Sequence, residues 1–167
     1  MNDEIVLSVG DVAPEFCLSN QDDNYVCLEH YRNKWKILYF YDYDKNEDSI
    51  LEAMDFTAMS DEFKKLNTTI IGIGTESTKN NRIFQKNNSL DIMLLSDIEH
   101  EVVEKYGVWK IISRENMEYH GTEKTIFIIN LQGKIVAIWR NPIVQGNVTE
   151  VLNKLIELQK NIYNADI

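Results

Sequence analysis

Chemistry in this chain would have to come from two cysteines, three histidines or one dense run of acids. The acids stand in "ILYFYDYDKNEDSILEAMDF", Ile37 to Phe56. That stretch opens as a buried strand and closes as a helix, and strand-to-helix junctions are where α/β proteins tend to place their sites. From Asp42 to Asp55 it carries Asp42, Asp44, Glu47, Asp48, Glu52 and Asp55 against the single base Lys45, a net −5. Three chemistries fit parts of this pattern. Alternating oxygens at Asp42, Asp44 and Asp48 resemble the first half of a calcium loop, but Glu47 stands where that loop needs Gly, and Ala53 where it needs a bidentate Glu. Asp42-x-Asp44 after an apolar strand resembles a phosphoryl-transfer motif, without the Thr or Val at Asn46 or the partner motifs. The third reading is structural. Ser49 and Glu52 have capping-box spacing, or Asn46 caps the helix while Glu47 and Asp48 complement its dipole, either cap being worth about 1 kcal/mol.

The cysteines offer a different chemistry. Cys17 lies between Phe16 and Leu18, and Cys27 between Val26 and Leu28, so strand alternation turns both sulfurs away from those neighbours. A hairpin turning near Asp22 sets them opposite one another, at the roughly 4.5–5.5 Å Cα separation of paired strand residues, which a disulfide can span. They are either two free thiols or a redox pair. His30, His100 and His120 are far apart in sequence and read as surface or turn residues.

These residues need elements to position them. "EFCLSNQDDNYVCLEH" reads as a β-hairpin turning at Gln21–Asn24. A strand is predicted over Lys36–Tyr41, a helix over Glu47–Leu66, a strand over Thr68–Gly74 and a helix over Thr78–Asn87. "IMLLSD" is a short strand, and the next helix, Ile98–Tyr106, stops at Gly107. "KTIFIINLQGKIVAIWR" is a second hairpin, and Val148–Ile162 an amphipathic helix. Strands alternating with helices, plus a terminal hairpin, predict a mixed central sheet with helices on both faces, in one domain over residues 1–167.

Composition narrows the partners. A net charge of −10 argues against nucleic acid or an anionic membrane. The start, "MNDEIVLSVG", is too acidic for a signal peptide, and no apolar run approaches the roughly 18 residues that span a membrane. Two cysteines without a localisation signal point to a reducing cytoplasm and exclude a disulfide scaffold or a Cys-rich zinc site. No cofactor is implied.

The order of elements, with "VGDVAPEF", "LYFY", "EAMDF", "LLSDIEHEVVEKYGVW", "FIIN", "GKI" and "WR", resembles the peroxiredoxins, most closely the peroxiredoxin Q or bacterioferritin comigratory protein group, over Val9 to Leu155. The resemblance implies a thioredoxin-like fold with an added N-terminal hairpin, and thiol-dependent reduction of hydrogen peroxide and alkyl hydroperoxides. In that family a cysteine in a T-P-G-C motif on the helix after the "YFY" strand attacks peroxide and becomes a sulfenic acid. The helix N-terminus and a nearby arginine lower such a thiol from about 8.5 to roughly 3.5–7.5. A second cysteine, five residues on, resolves it in many members. Carried onto this chain, the Thr, Pro and Gly positions hold Asn46, Glu47 and Asp48. The peroxidatic position holds Ser49, the resolving position Met54 and the arginine position Lys124. A serine hydroxyl does not cycle through a sulfenic acid, and the acidic stretch would oppose a thiolate. The expectation is a peroxiredoxin-like chain without the family's peroxidase, monomeric or weakly dimeric, that would meet thioredoxin only if active. The alternatives are an active peroxidase using Cys17 or Cys27, and a divalent-metal domain at Asp42, Asp44 and Asp48.

Overall fold

The computed structural model describes residues 4–42 and 47–165. Strands β1 (Cys17–Asn20) and β2 (Tyr25–Cys27) form the first hairpin, and a single 3-10 turn, Leu28–Tyr31, follows β2. Then come β3 (Trp35–Phe40), α1 (Glu47–Ala58), α2 (Ser60–Lys65), β4 (Thr68–Gly74), α3 (Thr78–Asn88), β5 (Met93–Ser96) and α4 (Glu101–Lys105). The chain continues through β6 (Trp109–Arg114), β7 (Met117–Thr122), β8 (Thr125–Ile129), β9 (Ile135–Arg140) and α5 (Asn147–Ala165).

Seven strands form one sheet in the order β2-β1-β5-β4-β3-β8-β9. β3, β4 and β5 run parallel, and the remaining pairs are antiparallel. This is the mixed sheet the element order predicts. Alternation along β3 divides the core. Ile37 and Tyr39 pack with Phe56 of α1, Phe63 of α2, Phe84 of α3 and Val151 and Leu155 of α5. Leu38 and Phe40 pack on the other face with Val102 and Val103 of α4, Tyr106, Phe127 and Ile129. Fully burying such side chains contributes about 1.5–3 kcal/mol each, which fixes β3 and hence the end from which α1 departs.

Two predicted elements differ from the structure, and one observed sheet was not predicted. The single helix predicted over Glu47–Leu66 is two, because Met59, at φ −102° and ψ 6°, leaves the helical conformation. Phe56 and Phe63, on either side of the break, are both fully buried, their rings 6.0 Å apart. The helix after β5 begins three residues later than predicted, since Asp97 and His100 first make a turn in which the His100 amide donates to the Asp97 carbonyl. The two-stranded sheet β6-β7 was not predicted at all. Its turn is made by Glu115 and Asn116, both at positive φ (52° and 63°), without the glycine that usually marks such a turn. No helix among the described residues is long and apolar enough to cross a membrane.

Candidate functional site

The junction after β3 is organised by Ser49. α1 starts at Glu47, so Ser49 lies inside its first turn, 5% exposed. Its hydroxyl donates to the backbone carbonyl of Asp42 at 2.8 Å. The Ser49–Glu52 capping box is therefore corrected. The helix begins two residues too early for Ser49 to cap it, and the hydroxyl ties the helix back to the strand end. Asn46 and Asp44 lie outside the described residues.

One turn further on, Glu52 is 3% exposed. Its Oε2 has no hydrogen-bond partner among the described residues. Burial pushes its carboxyl up to about 7, with Asp55 and Asp48 adding to the rise and Lys124 opposing it. Tyr39, stacked on Phe56 at 4.9 Å, likewise has a buried hydroxyl without a partner among the described residues. Its pKa is raised well above the usual tyrosine value by burial, then by Tyr41 and Glu52. Glu52 lies four residues before Phe56, on the buried stripe of α1. That spacing was the available signal, and reading Glu52 only as a capping partner missed it.

A pocket of about 900 Å³ opens beside this junction. Asp42, Asp48, Leu51 and Asp55 line one side, and Lys110, Tyr119 and Lys124 stand among the residues lining the remainder. Lys124 immediately precedes β8, the antiparallel neighbour of β3. The structure thus brings Lys124 to the pocket with Asp48, while Ser49 is not on its wall. Met54 is 46% exposed and does not line it. Gly121 of β7 sits so close to Asp42 that an added Cβ would come within 3.1 Å of Asp42 Oδ2 and 2.8 Å of Ile112 Cδ1. The unpredicted hairpin is therefore a wall of the site. Asp42 and Asp48 share this pocket, but neither joins two further described acids, histidines or cysteines close enough to hold a metal ion.

The cysteines lie elsewhere. Cys17 and Cys27 are register partners in β1 and β2, with Cα atoms 4.0 Å apart, and they form a disulfide. β5 and β4 separate that hairpin from β3. The histidines are less scattered than their sequence positions suggest. The rings of His100 and His120 both stack with Trp109, at 4.3 and 6.1 Å. His30 accepts the Cys27 amide on Nδ1 at 3.2 Å.

A thioredoxin-like sheet whose first long helix leaves β3 beside a pocket is the architecture of a peroxide-reducing family, and residues 9–138 match the AhpC/TSA family: the chain belongs to it. Within that family it falls in the peroxiredoxin Q, or bacterioferritin comigratory protein, group. It is 31% identical to peroxiredoxin Bcp of Bacillus subtilis (strain 168), covering 93% of this chain and 99% of that protein. It is also 31% identical to peroxiredoxin Bcp of Escherichia coli (strain K12), over 90% and 97% of the two chains. Among solved structures, a Cys-to-Ser mutant of Xylella fastidiosa PrxQ superposes with a TM-score of 0.86 at 27% identity, covering 92% of this chain and 98% of that one. The activity of the family is thiol peroxidase activity.

Proposed function

We propose that this chain is a peroxiredoxin Q-type protein that does not reduce peroxides at its α1 site and keeps the pocket there as a binding cleft. The observation that carries this reading is the state of Ser49. Its proton is held by the Asp42 carbonyl, a group that cannot accept it, so among the described residues the hydroxyl is not bonded to a base that would activate it. A serine also lacks the sulfur oxidation states through which a thiol peroxidase turns over. The surroundings support the same reading. Asp48 and Asp55 oppose negative charge near the start of α1, and Lys124 offers a point charge where the family pattern has a planar arginine fork. Met54, exposed on α1, offers no thiol to resolve a sulfenic acid. The protein works in a reducing cytoplasm as a monomer or weak dimer, and its ligand is not peroxide. The test is steady-state loss of hydrogen peroxide or an alkyl hydroperoxide with a thioredoxin system. Loss at the no-protein rate is expected, and turnover above it would reject the reading.

A second reading has one observation in its favour, the Cys17–Cys27 disulfide. A thiolate of this pair would attack the peroxide O–O bond, releasing water or alcohol and becoming a sulfenic acid. The second thiol would then condense with it, releasing water and forming the disulfide. Thioredoxin would reduce that disulfide and close the cycle. Cys17 lies in a strand and Cys27 caps only the single 3-10 turn Leu28–Tyr31, so neither stands at the N-terminus of an α-helix. Turnover lost in both Cys17→Ser and Cys27→Ser would select this reading over the first.

A further inference from the structure

The β2–β1 edge of the sheet carries a second constellation, which the α1 site does not use. Cys27 ends β2, and the 3-10 turn that follows at once brings Glu29 and His30 back toward its sulfur. One ligand atom from each of Cys27, Glu29 and His30 lies within 4.8 Å of the other two, the one such trio of cysteine, histidine or carboxylate side chains among the described residues. Cys17 stands outside that trio and is joined to it through its bond to the Cys27 sulfur.

We propose that reduction of the Cys17–Cys27 disulfide opens a zinc site made of the two thiolates, His30 and Glu29. The donor set fits zinc. Two soft sulfurs with an imidazole and a carboxylate complete a tetrahedron, whereas calcium and magnesium want oxygen alone. Zinc bond lengths of about 2.0–2.3 Å place tetrahedral ligand atoms roughly 3.3–3.8 Å apart. The present trio is within about 1.5 Å of that, a displacement that side-chain rotation supplies, and Cys17 joins it by rotating once the disulfide opens.

The hydrogen bonding identifies the histidine atom. Nδ1 accepts the Cys27 amide, so it carries the lone pair of the neutral ring, and Nε2 carries the proton. Nδ1 is therefore the ligating nitrogen, and zinc replaces the Cys27 N–H as its partner. Glu29 is loosely held by exposed Arg32 at 3.6 Å, a contact that competes weakly for the carboxylate.

The same two sulfurs cannot serve both states, because zinc is bound by thiolates and not by a disulfide. A dithiol reductant opens the bond by exchange. Its two sulfurs become a disulfide, and its two protons pass to Cys17 and Cys27. Zinc then displaces those protons to solvent. A small-molecule disulfide re-forms the Cys17–Cys27 bond by exchange: it takes the two electrons and leaves as two thiols, and the ion, its thiolate ligands gone, is released.

The experiment is zinc titration of the full chain, oxidised and reduced, by competition with a chromophoric chelator, with cobalt(II) as a spectroscopic stand-in. The reduced protein is expected to bind one zinc per chain and the oxidised protein none. Cobalt should give thiolate charge-transfer absorption and the strong visible bands of a tetrahedral centre. Because lost outer-shell partners already weaken zinc sites by roughly 10–100-fold, His30→Gln should weaken binding at least about tenfold. Glu29→Gln should weaken it less and keep the thiolate band. Both positions are exposed, and circular dichroism checks that the variants fold. In amide NMR spectra, the Cys27 N–H should shift on zinc addition to the parent, and in His30→Gln the shift should need at least about tenfold more zinc. Zinc binding by the reduced parent no tighter than by a Cys17→Ser, Cys27→Ser double variant, or undiminished affinity in His30→Gln, would overturn the proposal.

Discussion

Replacing Glu52 with Gln should flatten one component of the pH dependence of stability. The Glu52 carboxyl rises from an ordinary 4.5 to about 7 in the folded protein, chiefly through burial. Between those values the folded state holds a proton that the unfolded chain has lost, so stability falls as pH rises. The penalty begins near pH 4.5 and is complete above about pH 7. Integrated from pH 5 to pH 8 at about 1.4 kcal/mol per unit, this one group removes about 2–3 kcal/mol. Glu52→Gln removes the ionisation and keeps the shape. The new amide brings N–H donors to a spot where Oε2 already lacks a partner, so the variant should be less stable than the parent at pH 5, by about 1–3 kcal/mol. That deficit should shrink or reverse by pH 8. Urea unfolding of both proteins at pH 5, 6, 7 and 8 gives the difference directly, and charge effects common to both cancel. Parallel stability curves would refute the argument, since they would mean that Glu52 ionises normally in the fold.

Other outcomes follow from the same geometry. Ser49→Cys alone should recover little peroxidase activity, because the new thiol meets the acids of α1; adding Asn46→Thr, Glu47→Pro, Asp48→Gly and Lys124→Arg should recover more, as read by peroxide loss. Robust turnover by the single variant would show that the surrounding substitutions matter less than argued. Gly121→Ala should destabilise by about 1–3 kcal/mol in urea, because its Cβ is built against Ile112, Tyr119 and Asp42. Cys17→Ser should lower stability by about 2–3 kcal/mol relative to the oxidised parent, the loop-closure value for cysteines 10 residues apart, and should differ little from the reduced parent.

The sequence carried the sheet well because its strands are apolar and β-branched in unbroken runs, as in "TTIIGIG" and "TIFII". The pairing of Cys17 with Cys27 was legible from alternation and one polar turn. What escaped was tertiary. Met59 breaks a helix whose apolar spacing continues straight through it. The β6-β7 hairpin is exposed on both strands at Ile111 and Met117, so it lacks the clean apolar alternation that marks a half-buried strand. Its turn uses Asn116 where a reader looks for glycine. Missing that hairpin hid a wall of the pocket, and with it the approach of Gly121 to Asp42. Of the residues at issue in the α1 site, Ser49 and Lys124 were placed by the family resemblance, whereas the burial of Glu52 was signalled only by its spacing from Phe56 on the apolar side of α1.

The most direct measurement is single-turnover peroxide loss by the reduced protein, with no recycling system, in the parent and in a cysteine-free Cys17→Ser, Cys27→Ser variant. The parent should consume hydrogen peroxide no faster than free cysteine of equal thiol concentration, and the cysteine-free variant should consume none. Rapid stoichiometric loss by the parent, far above free cysteine and abolished in the cysteine-free variant, would contradict the account, since it would place a competent peroxidatic thiol at Cys17 or Cys27.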